Sequence, residues 1–474
     1  MTQLEATERG VEKGAGDPVA DTTIEFAGWL PIFEYSGKCG SHPQFRHLDE
    51  PPAGYRFISS EPERWLYKWA SMRKRRVSGS GRLGKLVAKV GRIFRPFFAL
   101  VRPTPGCGIR VRLRTIAALL ALYFRLRRRG ARLLPVLNFL RTRHLQSQYL
   151  LANSRSPVFI TSIPHTYGQN PWLLEIEDPT TLFFPFIHNG ATRNVDIAAS
   201  PYFPIVRTLL ESDHCKGIIT HMKATAEMLP TLFQSETIDE KISYVPLGVK
   251  LPQRWQQHTA QDNEIHLLFT NSWSRVPLNF FMRGGLDVLE AFAILRERYP
   301  QLRLTLRSSL PKLKWRHRRI IEQGWVRVID RFVSNRQMEE FMAGSHVYLL
   351  PAARVHIVSL LQAMSHGLAV VASDGWGFDE ILQHERNGMI VAGRYGKVSW
   401  TDRQAGCLRE DYKPMRHADP VVVDGLVNTV SRLVEDRMLR RNLGLTARRD
   451  VETTYNMERW NQGFKAALDK ALGR

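Results

Sequence analysis

The chain has 474 residues, which is enough for two or three domains, and its 43% hydrophobic content argues against a disordered protein. A formal net charge of +22 indicates an anionic partner, which is nucleic acid, anionic lipid or a phosphorylated substrate. This charge belongs to one segment: 22 of the 67 basic residues lie within 64–143, which contains no Asp or Glu, and the other 45 match the 45 acidic residues.

The N-terminal half begins with a polar stretch, residues 1–21, which we expect to be disordered. It has no apolar run typical of a secretory signal, and the four cysteines lack CxxC spacing. A cytoplasmic protein without disulfide bonds or a structural zinc site is therefore predicted. Residues 22–252 are predicted to form a first α/β domain, in which an apolar strand from Phe26 leads into a turn with Gly37 and Gly40.

The basic segment, residues 64–146, lies within this domain and shows helical periodicity over 82–100 and 114–145. Its apolar run 116–124 is far shorter than the roughly 20 residues that a membrane-spanning helix needs. Arginines beside Leu, Phe and Tyr are typical of an interfacial helix on anionic lipid, although a solvated helix has the same pattern. Nucleic acid is the rival partner, but no RNP-like, zinc-finger or clear helix-turn-helix motif supports it, so we predict none.

Strands and helices alternate regularly in the C-terminal half. The predicted strands are 265–270, 302–307, 347–350 and 369–372, and the predicted helices are 285–298, 335–342 and 357–366. This alternation predicts a parallel, doubly wound sheet over 264–445, with its ligand at the carboxyl ends of the strands. The polar stretch 253–263 is predicted to link the two domains, and 446–474 to form a helix that packs back on the first domain.

A first candidate site follows the first strand of this half, where Asn271 and Ser272 precede the helix start Arg283-Gly284-Gly285. The free N–H groups of a helix start favour phosphate, and glycines let a ligand come close to the backbone. Arg283 adds a bidentate donor that suits phosphate oxygens. An ordinary glycine turn with a solvated arginine is the alternative.

A second candidate site surrounds the predicted helix 357–366. Arg354 and His356 lie in the loop before this helix, and Ser359 and Gln362 share one face by i+3 spacing. A polar face at the carboxyl edge of a parallel strand suits a nucleoside diphosphate sugar. A solvent-facing amphipathic helix, with a structural histidine before it, is the alternative.

A third candidate site follows the strand 369–372, which opens into a glycine-rich loop with carboxylates. Asp374 is predicted either to contact the ligand or to cap the next helix. Glu380, at the end of the same loop, is predicted to accept hydrogen bonds from ribose or sugar hydroxyls. No spacing of His, Cys, Asp or Glu along the chain indicates a metal cluster.

In order and spacing, these pieces resemble the donor domain of family 4 of the glycosyltransferases, which are retaining enzymes with the two-domain GT-B fold. The resemblance runs from about residue 241 to 391 and is carried by Tyr244-Val-Pro-Leu-Gly-Val, Arg283-Gly284 where the family usually has Lys-Gly, Leu350-Pro, Gln362-Ala-Met-Ser-His-Gly-Leu-Ala-Val-Val and Asp374-Gly-Trp-Gly-Phe-Asp-Glu380. It implies two Rossmann-like domains around a deep cleft, a nucleotide-sugar donor and no required metal.

The Glu-x7-Glu signature of this family is altered, because its two glutamates fall on Arg354 and Gln362. The second glutamate binds donor ribose in the family, a role that Gln362 keeps in part through its carbonyl oxygen. The first lies near the transferred sugar, where Arg354 inverts the charge and meets either an anionic sugar or the diphosphate. The resemblance thus implies that Arg354 and His356 act at the reacting groups.

A fainter resemblance in the first domain implies that Gly37 and Gly40 form the ligand loop near the acceptor and that His165 is an acceptor-side residue, with a structural histidine as the alternative. We therefore expect a hexosyltransferase, cytoplasmic and peripheral on the inner membrane face. It would move a sugar with retention from a UDP- or GDP-sugar to a polysaccharide or lipid-linked acceptor. The alternative is a non-catalytic GT-B-like protein that binds an anionic surface, membrane or nucleic acid.

Overall fold

The computed structural model describes residues 21–27, 50–59, 109–132, 135, 156–161, 171–183, 194–253, 255, 264–271, 278–331 and 333–474. Within these ranges the chain forms two six-stranded sheets, and every strand pair in both sheets is parallel. The predicted α/β class with two doubly wound, Rossmann-like domains is confirmed. The disordered tail predicted for residues 1–21 lies outside the described residues, except for Asp21.

The first sheet has the order β2-β1-β3-β4-β5-β6. Its strands are β1 Thr22–Ala27, β2 Tyr55–Ser59, β3 Val158–Thr161, β4 Trp172–Ile176, β5 Cys215–Thr220 and β6 Ile242–Tyr244. All five residues of β4 are buried, which follows from its central place in a parallel sheet covered on both faces. The helices of this half are α1 Ile109–Arg128, α2 Phe203–Leu210, α3 Lys223–Phe233 and α4 Glu236–Asp239.

Helix α1 is the part of the basic segment that the structure describes, and it packs on the first domain through Leu122 and Leu126. The predicted helix 114–145 is wrong in its bounds, because the chain turns at Gly130 with a φ of 81°. Glycine adopts this left-handed conformation without steric cost and so ends the helix here. The spacing of the apolar residues alone had predicted a helix that continues beyond this point. The other predicted helix, 82–100, lies outside the described residues.

The second sheet has the order β12-β11-β10-β7-β8-β9. Its strands are β7 Ile265–Thr270, β8 Leu302–Arg307, β9 Val326–Val328, β10 Val347–Leu350, β11 Ala369–Ser373 and β12 Met389–Val391. The helices between and after them are α5 Leu278–Met282, α6 Gly285–Arg298, α7 Trp315–Glu322, α8 Asn335–Ala343, α9 Ile357–Ser365, α10 Pro420–Glu435, α11 Arg437–Thr453 and α12 Met457–Leu472. The predicted strands and helices of this half lie within one residue of these bounds.

Alternate residues of the second sheet face two separate cores. Val347 and Leu349 of β10 pack with helices α6 and α10, whereas Tyr348 and Leu350 pack with helices α9 and α11. Because side chains alternate across a strand, one short apolar run serves both faces. This double burial explains why strands β10 and β11 are almost continuously hydrophobic.

Two segments of the C-terminal half reach the first domain. Helix α12 packs on β5, and its Phe464 ring lies 5.4 Å from the ring of Phe159 and 6.0 Å from that of Phe57. An antiparallel hairpin, β13 Ser399–Asp402 and β14 Cys407–Glu410, packs on α3. The domains are therefore joined at both the helix and the hairpin. None of the helices in the described ranges combines the length and apolarity needed to cross a membrane.

Candidate active site

The second sheet has a topological switch point between β7 and β10. Strand order runs outward from β7 to β9 on one side and from β10 to β12 on the other. In such a sheet the connections leave in opposite directions and open a crevice at the carboxyl ends of the two central strands. Thr270 and Asn271 lie at the end of β7, and Arg307 and Ser308 lie at the end of the adjacent β8. These polar side chains occur where the fold is expected to bind a ligand.

Two buried arginines lie at this edge. Arg283, 4% exposed, donates from Nη1 to the carbonyl of Thr270 at 3.0 Å and to the hydroxyl of Ser359 at 3.2 Å. Arg307, 6% exposed, donates from Nη1 to the carbonyl of Asn271 at 2.8 Å, and its buried Nε has no hydrogen-bond partner among the described residues. Neither guanidinium forms an ion pair with a carboxylate of the described residues. Among the described residues, the site therefore holds two cations that lack an ion-pair partner.

Burial and mutual repulsion affect the acidity of these arginines. Burial and repulsion from Arg307 lower the pKa of Arg283 to about 10, although Tyr348 and Glu177 attract its charge. Burial also lowers the pKa of Arg307. Arg283 nevertheless stays protonated at neutral pH, since its pKa lies well above 7. Buried unpaired charge is costly, so an anion bound between the two arginines would be strongly favoured.

The backbone at Gly284 brings the start of α6 against the end of β10. Gly284 has a φ of 78°, and a Cβ on it would lie 2.3 Å from the carbonyl oxygen of Pro351. Only glycine tolerates both the left-handed conformation and this close approach. The close approach fixes Arg283, the preceding residue, beside Ser359 of α9. Whether the amides at Gly284 hold phosphate stays a prediction.

Helix α9 presents the predicted polar side chains at the same edge. Ser359 accepts the hydrogen bond of Arg283, and Gln362 lies one turn later with a partly exposed side chain. His356, the residue before the helix, has a pKa held well below 6.5 by burial and by the nearby charges of Arg283 and Arg354. Its ring is therefore neutral at physiological pH, and suits a hydrogen bond to a ligand better than ionic binding.

Arg354 lies between the two domains, and its side chain is 10% exposed. Its Nη1 contacts Asp178 at 2.5 Å, its Nη2 contacts Glu177 at 2.8 Å, and its Nε lies 3.8 Å from Glu410 of the hairpin. Burial lowers the pKa of Arg354, but these carboxylates outweigh it and raise the pKa well above the usual value of an arginine. The structure thus places Arg354 in a cage of carboxylates, whereas the sequence predicted a cation open to the donor.

Asp374 and Glu380 are both hydrogen-bonded to backbone amides. The carboxylate of Asp374 accepts from the N–H groups of Gly393, Arg394 and Tyr395, and so caps a loop rather than a helix. The carboxylate of Glu380 accepts from the amides of residues 223 and 224, at the start of α3, at 2.7 and 2.9 Å. Each carboxylate has about four lone-pair sites, so donor contact by either residue, as predicted, would use the acceptor sites that these amides leave.

Four predicted site residues, Gly37, Gly40, His165 and Ser272, lie outside the described residues. Conversely, the sequence interpretation gave no site role to Arg307, although a charged residue that ends an apolar strand is a recognisable signal of a strand-end site. In the part of the chain that the structure describes, no three His, Cys, Asp or Glu residues are grouped so that they could hold a metal ion.

The region that contains this site matches a known family. Residues 280–403 match the family model described as Glycosyl transferases group 1, a range that begins in α5 and ends just after β13. It includes Arg283, Arg307, Arg354 and the whole of α9. The second domain therefore contains a group 1 glycosyl transferase domain, which makes the chain a transferase. No curated sequence matches the chain.

Several solved structures are similar at low identity. A glycosyltransferase from Rickettsia africae is 10% identical over 96% of this chain and 99% of that chain, with a TM-score of 0.49. Anabaena HepE in complex with UDP and glucose is 13% identical over 71% of this chain and 81% of that chain, with a TM-score of 0.45. A TarM variant from S. aureus is 12% identical over 66% of this chain and 55% of that chain, with a TM-score of 0.42. The aligned part thus spans about half the length of TarM.

Proposed function

We propose that this chain transfers a sugar from a nucleotide-sugar donor and holds the donor diphosphate at the carboxyl edge of the second sheet. The observation that carries the proposal is the pair of buried arginines, Arg283 and Arg307, neither of which has a carboxylate partner in the described residues. A diphosphate supplies two adjacent negative groups and accepts bidentate hydrogen bonds. In a dry site such cations also stabilise the charge that develops on the leaving group.

The donor is proposed to be a UDP- or GDP-sugar, transferred with retention. Support comes from the motif order around Arg283 and Gln362, which resembles retaining enzymes. The polar groups proposed to contact the ribose or sugar are the amide of Gln362, which is partly exposed, and the neutral ring of His356. These groups offer hydrogen bonds without competing with the two arginines for the diphosphate.

The acceptor is proposed to be a saccharide or a lipid-linked saccharide, met at the anionic inner face of a membrane. Helix α1 supports this proposal, because Leu113, Leu120 and Phe124 lie on one face and are 61%, 53% and 59% exposed. The exposed arginines Arg125 and Arg128 lie beside this face. Exposed apolar side chains flanked by arginine suit an interfacial position on anionic lipid, whereas nucleic acid binding does not require them.

A thermal-shift screen tests the donor proposal. We expect UDP, GDP or ADP to raise the unfolding midpoint, because a ligand that binds only the folded protein stabilises it by mass action. The nucleosides uridine, guanosine and adenosine are the matched controls, since they lack the diphosphate and should have little effect. If no nucleoside diphosphate raises the midpoint, the proposal is wrong. A nucleotide that binds while no UDP-, GDP- or ADP-sugar is ever consumed would favour the non-catalytic alternative.

A further inference from the structure

We infer that Glu177, in the first domain, is the carboxylate that faces the transferred sugar. This inference rests on the proposed function. The sequence carries Arg354 where a sugar-facing carboxylate was expected, so the second domain lacks a negative charge at that position. In the structure the missing charge is supplied from the opposite domain, by a carboxylate that Arg354 itself holds at 2.8 Å.

The backbone of Glu177 is fixed at the carboxyl end of the first sheet. It follows directly after β4, all of whose residues are buried, and its carbonyl accepts a hydrogen bond of 2.6 Å from the hydroxyl of Thr225 in α3. The next residue, Asp178, is fully buried and accepts the amide of Thr180 at 2.8 Å. A rigid strand end and an anchored turn therefore position the side chain of Glu177.

Glu177 is also the accessible member of the carboxylate cage. Three carboxylates surround Arg354, but the side chains of Asp178 and Glu410 are 0% exposed, whereas that of Glu177 is 40% exposed. Asp178 and Glu410 thus neutralise Arg354 within the protein. Glu177 is held by one edge of the guanidinium and leaves part of its carboxylate open to a ligand.

The two buried arginines and the carboxylate cage form neighbouring regions of opposite charge. Arg354, which holds Glu177, lies three residues before α9, and Ser359 of α9 accepts a hydrogen bond from Arg283. The carboxylate of Glu177 therefore lies on the same side of the second sheet as the proposed diphosphate site, and it attracts Arg283 electrostatically. Arg354 with its three carboxylates carries a net charge of about −2 if all are ionised. Two unpaired cations and a net negative cage therefore lie side by side, one suited to a diphosphate and the other to a positively charged group.

This polarity matches sugar transfer from a diphosphate. The bond between the anomeric carbon and the diphosphate oxygen breaks, and its electron pair leaves with the diphosphate towards Arg283. The anomeric carbon becomes electron-poor, the acceptor hydroxyl oxygen forms the new bond, and the hydroxyl proton passes to the departing diphosphate. The carboxylate of Glu177 stabilises the positive charge of the ring, which develops only in the transition state.

The test compares Glu177→Gln with Glu240→Gln, which makes the same change at an exposed position of the first domain. Affinity for UDP, GDP and ADP is measured by calorimetry, and turnover is measured with UDP-glucose, GDP-mannose and ADP-glucose. The amide of Glu177→Gln would still accept the hydrogen bond of Arg354 but carry no charge, so we expect kcat to fall about 100-fold or more. Nucleotide affinity and donor KM should change less than about threefold.

Chemical rescue separates a charge role from a structural one. In Glu177→Ala, added formate should restore part of the activity, because a small carboxylate fills the space and returns the charge. Formate should not accelerate the wild type or Glu240→Gln.

Each outcome decides one question. If the wild type turns over a donor and Glu177→Gln retains kcat within about threefold, the inference is wrong while the proposed function stands. If Glu177→Gln loses nucleotide affinity and thermal stability together with turnover, and formate restores nothing, Glu177 only holds the domains and the inference is again wrong. If the wild type binds no nucleotide, the proposed function itself has failed.

Discussion

Replacing Arg354 by methionine should destabilise the protein far more than the loss of an ordinary ion pair. The guanidinium lies between Asp178 and Glu410, whose side chains are 0% exposed, and it also contacts Glu177. Methionine has a similar length and no charge, so the two buried carboxylates would lose their cation. They would then either remain charged in an apolar environment or take up protons.

The expected magnitude follows from the burial of the partners. Removing one partner of a buried ion pair costs about 3–5 kcal/mol, since an uncompensated charge remains. The matched control is Arg336→Met, because Arg336 pairs with Glu340 at 3.1 Å while the two side chains are 89% and 59% exposed. Removal of that surface pair should cost less than about 1 kcal/mol.

Urea unfolding followed by tryptophan fluorescence measures both variants. We expect a clear fall of the midpoint for Arg354→Met and little change for Arg336→Met. Arg354→Glu adds a fourth carboxylate to the cage, so turnover should also fall at least about tenfold, equivalent to about 1.4 kcal/mol of transition-state stabilisation. The interpretation of Arg354 as the centre of a carboxylate cage would be refuted if Arg354→Met unfolded at the same urea concentration as the wild type. Higher turnover of Arg354→Glu than of the wild type would also refute it.

Three further predictions follow from other parts of the structure. Arg283→Ala should weaken UDP or GDP binding by about 1.5–3 kcal/mol in calorimetry, the range for a charge-assisted hydrogen bond; an unchanged affinity would exclude this role. Phe124→Asp in α1 should reduce sedimentation with anionic vesicles about tenfold, whereas Met438→Asp, equally exposed on α11, should not; tighter binding to a DNA duplex would contradict the membrane proposal. Burial opposes protonation of His221, but its contact with Glu175 outweighs this and raises the pKa of His221 in the folded protein. The His221–Glu175 pair therefore stabilises the folded protein fully below about pH 6.5, and this stabilisation is lost as the pH rises through the folded-state pKa. His221→Gln should remove that pH dependence of the unfolding midpoint.

The strands and helices of the second domain could be predicted from the sequence almost residue by residue. Strands β7, β8 and β10 have the predicted bounds, and helix α6 begins at Gly285 and ends at Arg298 as expected. Local chemistry determines these bounds, because short apolar runs flanked by glycine and proline mark buried parallel strands. The hairpin at 399–410 was missed, since its two strands are four residues long and alternate weakly.

The role of Arg354 could not be predicted in the same way. Its partners Glu177 and Asp178 are 177 and 176 residues away along the chain, and they come close only when the two domains meet. Periodicity and spacing describe neighbours within a helix or strand, and they contain no information about which carboxylate crosses a domain interface. Glu380 shows the same limit, because its partners are the amides of residues 223 and 224 in the first domain.

Because the unpaired arginines and the accessible carboxylate lie on different domains, the proposed sugar transfer would depend on contact between the domains. The unpaired cations Arg283 and Arg307 belong to the second domain, so a donor diphosphate can bind there alone. The accessible carboxylate, Glu177, belongs to the first domain, and by our inference it would face the sugar while Arg354 holds it. A separated second domain would therefore bind the donor without stabilising the positive ring of the transition state. Catalysis requires interactions that strengthen in the transition state. In this proposal the second domain binds the donor and the first domain stabilises the sugar ring, so the Arg354 cage would couple donor binding to turnover.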